Sequence, residues 1–224
     1  MNYDWILFDA DDTLFHFDDF AGLQLLFARR GCDFDRQHYL EYQQRNRPLW
    51  VAYQNGEIGA RELQQSRFEP WTSKLALSAA EINAAFLKAM AEVCQPLPGA
   101  RTLLTALHRQ AQLGIITNGF TDLQQARLKN TELEGLFSLL VISEQVGVAK
   151  PDPRIFDHAK SLMANPAAQR VLMVGDNPHS DIIGGQRAGF DTCWLNQHGR
   201  PCPDGIVPDF QVRSLPELQA LLLA

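Results

Sequence analysis

Three carboxylates and a hydroxyl lie close together near the start of the chain, in the stretch Asp9-Ala10-Asp11-Asp12-Thr13. They directly follow the apolar run Trp5 to Phe8, a pattern typical of a strand buried on both faces of a parallel sheet. Crowded carboxylates repel one another unless a cation or a proton relieves them. Taken alone, the stretch leaves two interpretations open: a solvated acidic turn, or a metal site at the end of a strand.

Further polar groups follow two later apolar runs, and a lysine stands in an apolar segment between them. They are Thr117 with Asn118, then Lys150, and then Asp176 with Asp181 shortly after it. Because the carboxyl ends of parallel strands meet at one edge of the sheet, we expect these groups to converge there. Each segment alone is unremarkable, since a lone Thr-Asn-Gly is usually a turn and a lone Lys-Pro usually lies on the surface. Their occurrence together, each beside an apolar run, predicts a site.

A phosphate-bearing ligand would use every part of this set. Asp9 and Asp176 offer the hard oxygen ligands that suit Mg²⁺, and the metal would also withdraw charge from a phosphoryl group. Thr117 and the backbone N–H groups of Asn118 and its neighbour offer donors at the start of a helix, which favours an anion. Lys150 supplies a positive charge, and Asp9 has the chemistry of a nucleophile that attacks phosphorus.

The elements that would position these residues alternate between strands and helices after residue 96. Apolar runs at 113–117, 139–143, 171–174 and 192–195, with a short edge strand at 210–212, predict a doubly wound parallel sheet of the α/β class. Between about 15 and 95 every pattern is helical, and the helix expected over 36–53 contains Pro48, which should kink or split it. We therefore predict an α/β core over 1–14 and 96–224, with a small all-helical domain over 15–95.

Composition limits the classes of partner. With 224 residues and a formal net charge of −6, the chain lacks the basic balance of a general nucleic-acid binder. No apolar run approaches the roughly 20 residues of a membrane helix. Four scattered cysteines indicate reduced thiols and a cytoplasmic protein. We expect a small phosphorylated metabolite as partner, with no nucleic acid and no membrane, and the oligomeric state stays open.

The four segments together resemble the four motifs of the haloacid dehalogenase superfamily, specifically its phosphatases. Asp9 to Thr13 matches the first motif, Thr117-Asn118 the second, Lys150 the third, and Gly175-Asp176 with Asp181 the fourth. The resemblance covers essentially the whole chain and implies a Rossmann-like core. The helical insertion after the first strand resembles the cap domain by which that family selects substrates.

The resemblance also implies roles for individual residues. Asp9 would be the nucleophile, and Asp11 the general acid/base that protonates the leaving alkoxide and then activates water. Mg²⁺, with Mn²⁺ as a substitute, would be held by Asp9, Asp176 and the backbone carbonyl of Asp11. Thr117, Asn118 and Lys150 would hold the phosphate. Asp181 would support the metal shell or orient the lysine.

Asp11 favours a phosphatase over a dehalogenase, because related dehalogenases lack this second aspartate. Longer strings, among them Pro48-Leu49-Trp50-Val51 and Ile115 to Phe120, resemble the bacterial pyrimidine 5′-nucleotidases. That group dephosphorylates nucleoside monophosphates such as dUMP, dTMP and UMP, and is associated with clearing non-canonical pyrimidine nucleotides. A sugar-phosphate or phosphoglycolate phosphatase, or a phosphomutase, is the alternative on the same core. A non-catalytic binding protein would have no need of both Asp9 and Asp11.

Substrate choice would reside in the helical insertion. Phe15, Phe20, Trp50 and Tyr53 are candidates for stacking on a base. The competing interpretation is that these aromatic side chains form the insertion's own core.

Overall fold

The structure, a computed structural model, describes residues 2–223. Their contacts divide the chain into two units. The sheet unit contains residues 2–16, 95–119 and 131–223, and the helical unit contains 17–94 and 120–130. The boundaries expected from the sequence differ from these by one or two residues. The segment 120–130 is a larger difference, because the sequence placed it in the α/β core and its contacts place it in the helical unit.

A six-stranded parallel sheet forms the centre of the sheet unit, and the prediction of an α/β fold is confirmed. Its strands are β1 (Trp5–Phe8), β4 (Gln112–Thr117), β5 (Leu139–Ile142), β6 (Val171–Gly175), β7 (Asp191–Leu195) and β8 (Phe210–Val212). They lie in the order β5-β4-β1-β6-β7-β8. Phe8, at the end of β1, pairs with Ile115 of β4 and Val174 of β6. The residues that follow these three neighbouring strands therefore lie side by side.

The sheet unit also contains helices and a small antiparallel ribbon. The helices are α6 (Ala100–Leu107), α8 (Ser143–Val146), α9 (Pro153–Leu162), α10 (Ile183–Arg187) and α11 (Leu215–Leu223). The ribbon pairs β2 (Phe15–His16) with β3 (Gln95–Pro96), where the chain leaves and re-enters this unit. Ile6, Leu7 and Phe8 are fully buried, as expected for a strand covered on both faces.

The helical unit consists of α1 (Asp19–Ala28), α2 (Arg36–Gln54), α3 (Ala60–Ser66), α4 (Thr72–Leu75), α5 (Ala79–Val93) and α7 (Thr121–Asn130). α5 begins with the expected capping box, in which the Ser78 N–H donates to the Glu81 carboxylate at 2.8 Å. α2 continues through Pro48, so the helix is not split there, and a kink at Pro48 stays a prediction. The proline removes one N–H donor, but its carbonyl partner would be on Gln44, whose side chain is exposed. Between residues 2 and 223, no helix is long and apolar enough to cross a membrane.

Candidate active site

The buried amine of Lys150 is the centre of the candidate site. Only 1% of this residue is exposed, and its Nζ donates to Asp9 Oδ1 at 2.6 Å, to Asp181 Oδ1 at 2.7 Å and to the carbonyl of Ile116 at 2.7 Å. All three donor positions of the ammonium are thereby satisfied. Burial alone would lower the pKa of Lys150, but the carboxylates of Asp181 and Asp9 outweigh burial and raise it. The amine is therefore a fixed positive charge between two carboxylates.

Asn118 positions the lysine backbone. Its Nδ2 donates to the carbonyl of Lys150 at 2.9 Å, and its Oδ1 accepts from the Lys150 N–H at 2.7 Å. Thr117 is 1% exposed, and its Oγ1 accepts from the Gly119 N–H at 3.1 Å. The amide of Asn118 is thus used within the protein, and the donors toward a phosphate here would be the Thr117 hydroxyl and the Asn118 backbone N–H. Their contact with phosphate stays a prediction.

Three carboxylates gather beside Lys150. Asp9, Asp176 and Asp181 each place an oxygen within 4.8 Å of the others. Burial raises the pKa of Asp9 to about 7; Lys150 opposes this rise, and Asp181 and Asp11 add to it. Burial also raises the pKa of Asp176 to about 8, with further repulsion from Asp9, Asp181 and Asp12. When the three carboxylates are ionised, they carry more negative charge than the single ammonium of Lys150 neutralises.

The carboxylate oxygens of this cluster fit a divalent cation such as Mg²⁺. Asp9 uses Oδ1 for the lysine, which leaves Oδ2 for a metal, and Asp176 makes one long contact, at 3.5 Å, with the Thr13 hydroxyl. Asp181 differs, because Oδ1 accepts from Lys150 and Oδ2 accepts from the Asn177 N–H at 3.0 Å. Asp9 and Asp176 are therefore the side chains that would hold Mg²⁺. Asp181 would orient the lysine beside them.

A π-helical turn and a glycine place Asp181. The turn, Pro178–Ile182, comes immediately before α10, and turns of this kind recur at functional sites. A Cβ built on Gly175 would lie 2.2 Å from Asp181 Oδ2. Only a residue without a side chain at 175 therefore lets Asp181, which is fully buried, reach Lys150.

The loop that carries Asp11 is a tight turn after β1. The N–H groups of Leu14 and Phe15 both donate to the carbonyl of Ala10 at 3.0 Å, and the Asp12 N–H donates to the carbonyl of Phe15 at 2.7 Å. Asp12 has φ +53°, a left-handed conformation that aspartate tolerates better than most residues. Asp11 is half-buried. Two residues separate it from the end of β1, so it is held in the same short turn as Asp9.

Sequence reasoning missed Trp194, which lies on β7. Its indole Nε1 donates to the carbonyl of Asp176 at 2.9 Å, and the residue is 3% exposed. This bond orients the backbone that presents the Asp176 carboxylate. A tryptophan in an apolar strand looks like an ordinary core residue, so the sequence contained no signal for this role.

The four aromatic candidates lie in different surroundings. Phe15 is fully buried in β2 of the sheet unit. In the helical unit Phe20 packs against Tyr39, with centroids 5.1 Å apart, and Tyr53 packs edge-on against Trp50 at 5.8 Å. Trp50 is half-buried and lines a cavity in the helical unit. Their contact with a substrate stays a prediction.

Comparison with known proteins identifies the family. The sequence model of the haloacid dehalogenase-like hydrolase family matches residues 3–189 of this chain. The chain therefore belongs to that family. It is 54% identical to the pyrimidine 5′-nucleotidase YjjG of Escherichia coli (strain K12), with 99% of each chain covered. It is 34% identical to the pyrimidine 5′-nucleotidase PynA of Streptococcus pneumoniae, covering 97% of this chain and 94% of that protein. The resemblance inferred from the sequence is confirmed.

A solved structure supports the same assignment. The magnesium-bound crystal structure of the HAD-hydrolase YfnB from Bacillus subtilis superposes with a TM-score of 0.84 at 30% identity, and each chain is fully covered. A 2-haloacid dehalogenase from Pseudomonas syringae superposes with a TM-score of 0.74 at 24% identity, which shows the shared fold alone.

Metal binding is expected to stabilise the folded protein in a pH-dependent way. The folded pKa values of about 7 for Asp9 and about 8 for Asp176 lie above the roughly 4 of an unfolded chain. The stability that protonation provides is therefore present in acid and is lost as the pH rises through these values. Saturating Mg²⁺ should raise the unfolding temperature by about 5 °C at pH 8. At pH 6 the rise should be smaller, because protons compete with Mg²⁺ for the carboxylates of Asp9 and Asp176. Thermal unfolding with Mg²⁺ or EDTA measures both shifts.

The control for this experiment is Asp176→Asn, which keeps the shape of the side chain but removes one metal ligand. We expect this variant to lose most of its response to Mg²⁺ at both pH values. An equal response in the variant and in the parent protein would contradict the assignment of Asp176 to the metal.

Proposed function

We propose that this protein is an Mg²⁺-dependent 5′-nucleotidase that hydrolyses the phosphate monoester of pyrimidine nucleoside monophosphates. The substrate class comes from the identity to the two pyrimidine 5′-nucleotidases over nearly the whole chain. The observation that carries the chemistry is the pairing of Asp9 with Lys150 at the edge formed by β4, β1 and β6. The free thiols and the absence of an apolar helix long enough for a membrane in residues 2–223 are compatible with our proposal of a cytoplasmic enzyme.

In the first step, the Asp9 carboxylate attacks the phosphorus and the bond to the ribose O5′ breaks. Lys150 donates to Asp9 Oδ1 at 2.6 Å, so the carboxylate has a defined orientation. The leaving alkoxide takes the proton of Asp11. When bound, Mg²⁺ would neutralise charge on the phosphoryl oxygens. The Thr117 hydroxyl and the Asn118 backbone N–H would hold the same group in place.

In the second step, Asp11, now a carboxylate, removes a proton from water. The resulting hydroxide attacks the phosphorus of the aspartyl-phosphate, which releases inorganic phosphate and restores the Asp9 carboxylate. Asp11 thereby ends the cycle with the proton that it had at the start. Asp11 acts as an acid in the first step and as a base in the second, so it must lie close to the reacting atoms. Its place in the turn directly after the nucleophile is compatible with both roles.

We also propose that the helical unit acts as a cap that selects the alcohol part of the substrate. The strand-end site handles only the phosphoryl group, which all monoesters share. Discrimination between a nucleotide and a sugar phosphate must then come from other residues. Clearing of non-canonical pyrimidine nucleotides would be one use of such an enzyme.

The test is phosphate release from a panel of monoesters at fixed Mg²⁺. The panel contains UMP, dUMP, dTMP, CMP, AMP, ribose 5-phosphate and phosphoglycolate. We expect kcat/KM to be highest for pyrimidine nucleotides and inorganic phosphate to be the product. Higher kcat/KM for sugar phosphates or phosphoglycolate would overturn the substrate assignment, an isomerised phosphate ester would indicate a phosphomutase, and no turnover of any monoester would overturn the phosphatase.

A further inference from the structure

Two side chains at the end of β7 donate to backbone carbonyls of the two acidic loops. Trp194 Nε1 donates to the carbonyl of Asp176 at 2.9 Å, and Gln197 Nε2 donates to the carbonyl of Asp12 at 2.8 Å. The donors are close together in the chain, whereas the acceptors lie in the loops that follow β6 and β1. One short segment therefore connects the loop that carries Asp176 with the loop that carries the nucleophile Asp9.

The backbone that presents Gln197 forms a closed turn. Asn196 is 3% exposed, its Nδ2 donates to the carbonyl of Arg200 at 2.8 Å, and its Oδ1 accepts from the Arg200 N–H at 2.9 Å. The Asn196 N–H donates to the carbonyl of Val212 on β8 at 2.8 Å. The side chain of Gln197 is exposed, but it reaches Asp12 from a backbone that these bonds hold in place.

The two loops that Trp194 and Gln197 connect repel each other. Burial raises the pKa of Asp176, and repulsion from Asp9, Asp181 and Asp12 adds to the rise. Asp9 and Asp12 lie in the loop after β1, so the repulsion acts between the loops and favours their separation when no cation lies between them. A direct contact between the loops, from the Thr13 hydroxyl to Asp176 Oδ1, is long at 3.5 Å.

A cavity adjoins both loops. Its volume is about 410 Å³, and the acceptors Asp12 and Asp176 and the donors Trp194 and Gln197 all line it. Three basic side chains also line the cavity, and all are exposed: His179, His198 and Arg200. Solvent and salt screen exposed charges, so these groups offset only part of the repulsion. Side chains do not fill this space, and the two hydrogen bonds hold the loops beside it.

We propose that Trp194 and Gln197 are positioning residues that hold the two acidic loops at the spacing required by a divalent cation. With the loops already in place, Asp9 and Asp176 would bind Mg²⁺ without first being brought together, so less binding free energy is spent on ordering the site. This assignment rests on the proposed function, which supplies the metal. It gives a part in metal affinity to two side chains that are not themselves metal ligands.

Gln197→Met tests the proposal, because methionine has a similar length and no N–H group. We expect the dissociation constant of Mg²⁺, measured by titration calorimetry without substrate, to increase about 3- to 10-fold, as one hydrogen bond is lost. The kcat for UMP at saturating Mg²⁺ should fall by less than about 2-fold, because the bound metal then holds the loops. A purely structural role would instead lower the unfolding temperature without metal and leave the dissociation constant unchanged.

Trp194→Phe is the second variant, because it keeps an aromatic ring and removes the indole N–H. We expect it to weaken Mg²⁺ binding by a similar factor. The connection between the loops runs through both hydrogen bonds in series, so loss of either one interrupts it. The double variant should therefore bind Mg²⁺ about as weakly as the weaker-binding single variant. Two effects that multiply would be independent of each other and would overturn the proposal.

Gln110→Met is the matched control. Gln110 is exposed and comes just before β4, at the opposite end of that strand from Thr117. We expect its dissociation constant for Mg²⁺ to equal that of the parent. Unchanged constants in Gln197→Met and Trp194→Phe would overturn the inference while the parent still bound Mg²⁺. If the parent bound no Mg²⁺, the metal dependence of the proposed function would fail instead, so the two failures are distinguishable.

Discussion

Asp9→Asn is expected to lower kcat by about 10⁴-fold or more, because the side chain that attacks phosphorus is replaced by a much weaker nucleophile. Asparagine has nearly the same shape, and its Oδ1 still accepts from Lys150. Phosphate release from UMP measures the loss. The substitution also removes a carboxylate whose pKa burial raises to about 7, so without Mg²⁺ the unfolding temperature at pH 8 should be equal to or higher than that of the parent.

The control is Asp4→Asn, which makes the same chemical change just before the other end of β1. Asp4 is exposed and pairs with Arg170 at the surface, and ion pairs of that kind contribute little to stability. We expect its kcat and unfolding temperature to stay close to those of the parent. Normal turnover by Asp9→Asn would remove Asp9 from the role of nucleophile, and loss of activity through unfolding would appear in the melting curve.

Lys150→Met is expected to affect both activity and stability. The variant leaves Asp9 and Asp181 without the cation that lies between them, and breaking a buried ion pair from one side costs about 3–5 kcal/mol. For a chain of this length that corresponds to a fall of about 10 °C in the unfolding temperature. The fall should be larger at pH 8 than at pH 6, because protonation of Asp9, whose pKa burial raises to about 7, relieves the repulsion at lower pH. The kcat should fall at least about 10²-fold, since the nucleophile loses its positioning group.

The matched control is Lys88→Met, because Lys88 is an exposed lysine on α5. We expect it to behave like the parent protein in thermal unfolding at both pH values and in phosphate release. If Lys150→Met kept its stability and showed no dependence on pH, the charge balance of the cluster would not depend on the lysine. That result would contradict the role of Lys150 as the cation that holds Asp9 and Asp181 together.

Much of the sheet could be predicted because its signals are local. A short apolar run between polar groups indicates a buried strand, and the runs ending near Phe8, Thr117 and Val174 all became strands of the central sheet. Parallel strands expose their carboxyl ends at one edge, so the convergence of Asp9 and Asp176 followed from their positions in the chain. The capping box at Ser78 was equally local, since its partners are three residues apart.

The errors have physical reasons as well. Pro48 predicted a kink or a split, but the helix is not split, because one lost hydrogen bond at an exposed part of α2 does not outweigh the packing of buried Tyr42 and Tyr53 on either side of it. The helix over 121–130 follows β4 directly, and its sequence contains no sign that its contacts are mainly with the helical unit. A helix belongs to the unit whose surface it packs against. The periodicity of apolar residues in a helix does not show which surface that is.

The sequence by itself determined the fold class, the family and the identity of the polar residues at the strand ends, because these depend on residue type and on spacing along the chain. Only the tertiary structure decided what each polar atom does. It joined Lys150 to Asp9 across 141 positions of sequence, occupied the Asn118 amide with the lysine backbone, and used the absence of a side chain at Gly175 to admit Asp181. Such pairings depend on distances between atoms remote in the chain, and local sequence patterns do not specify those distances.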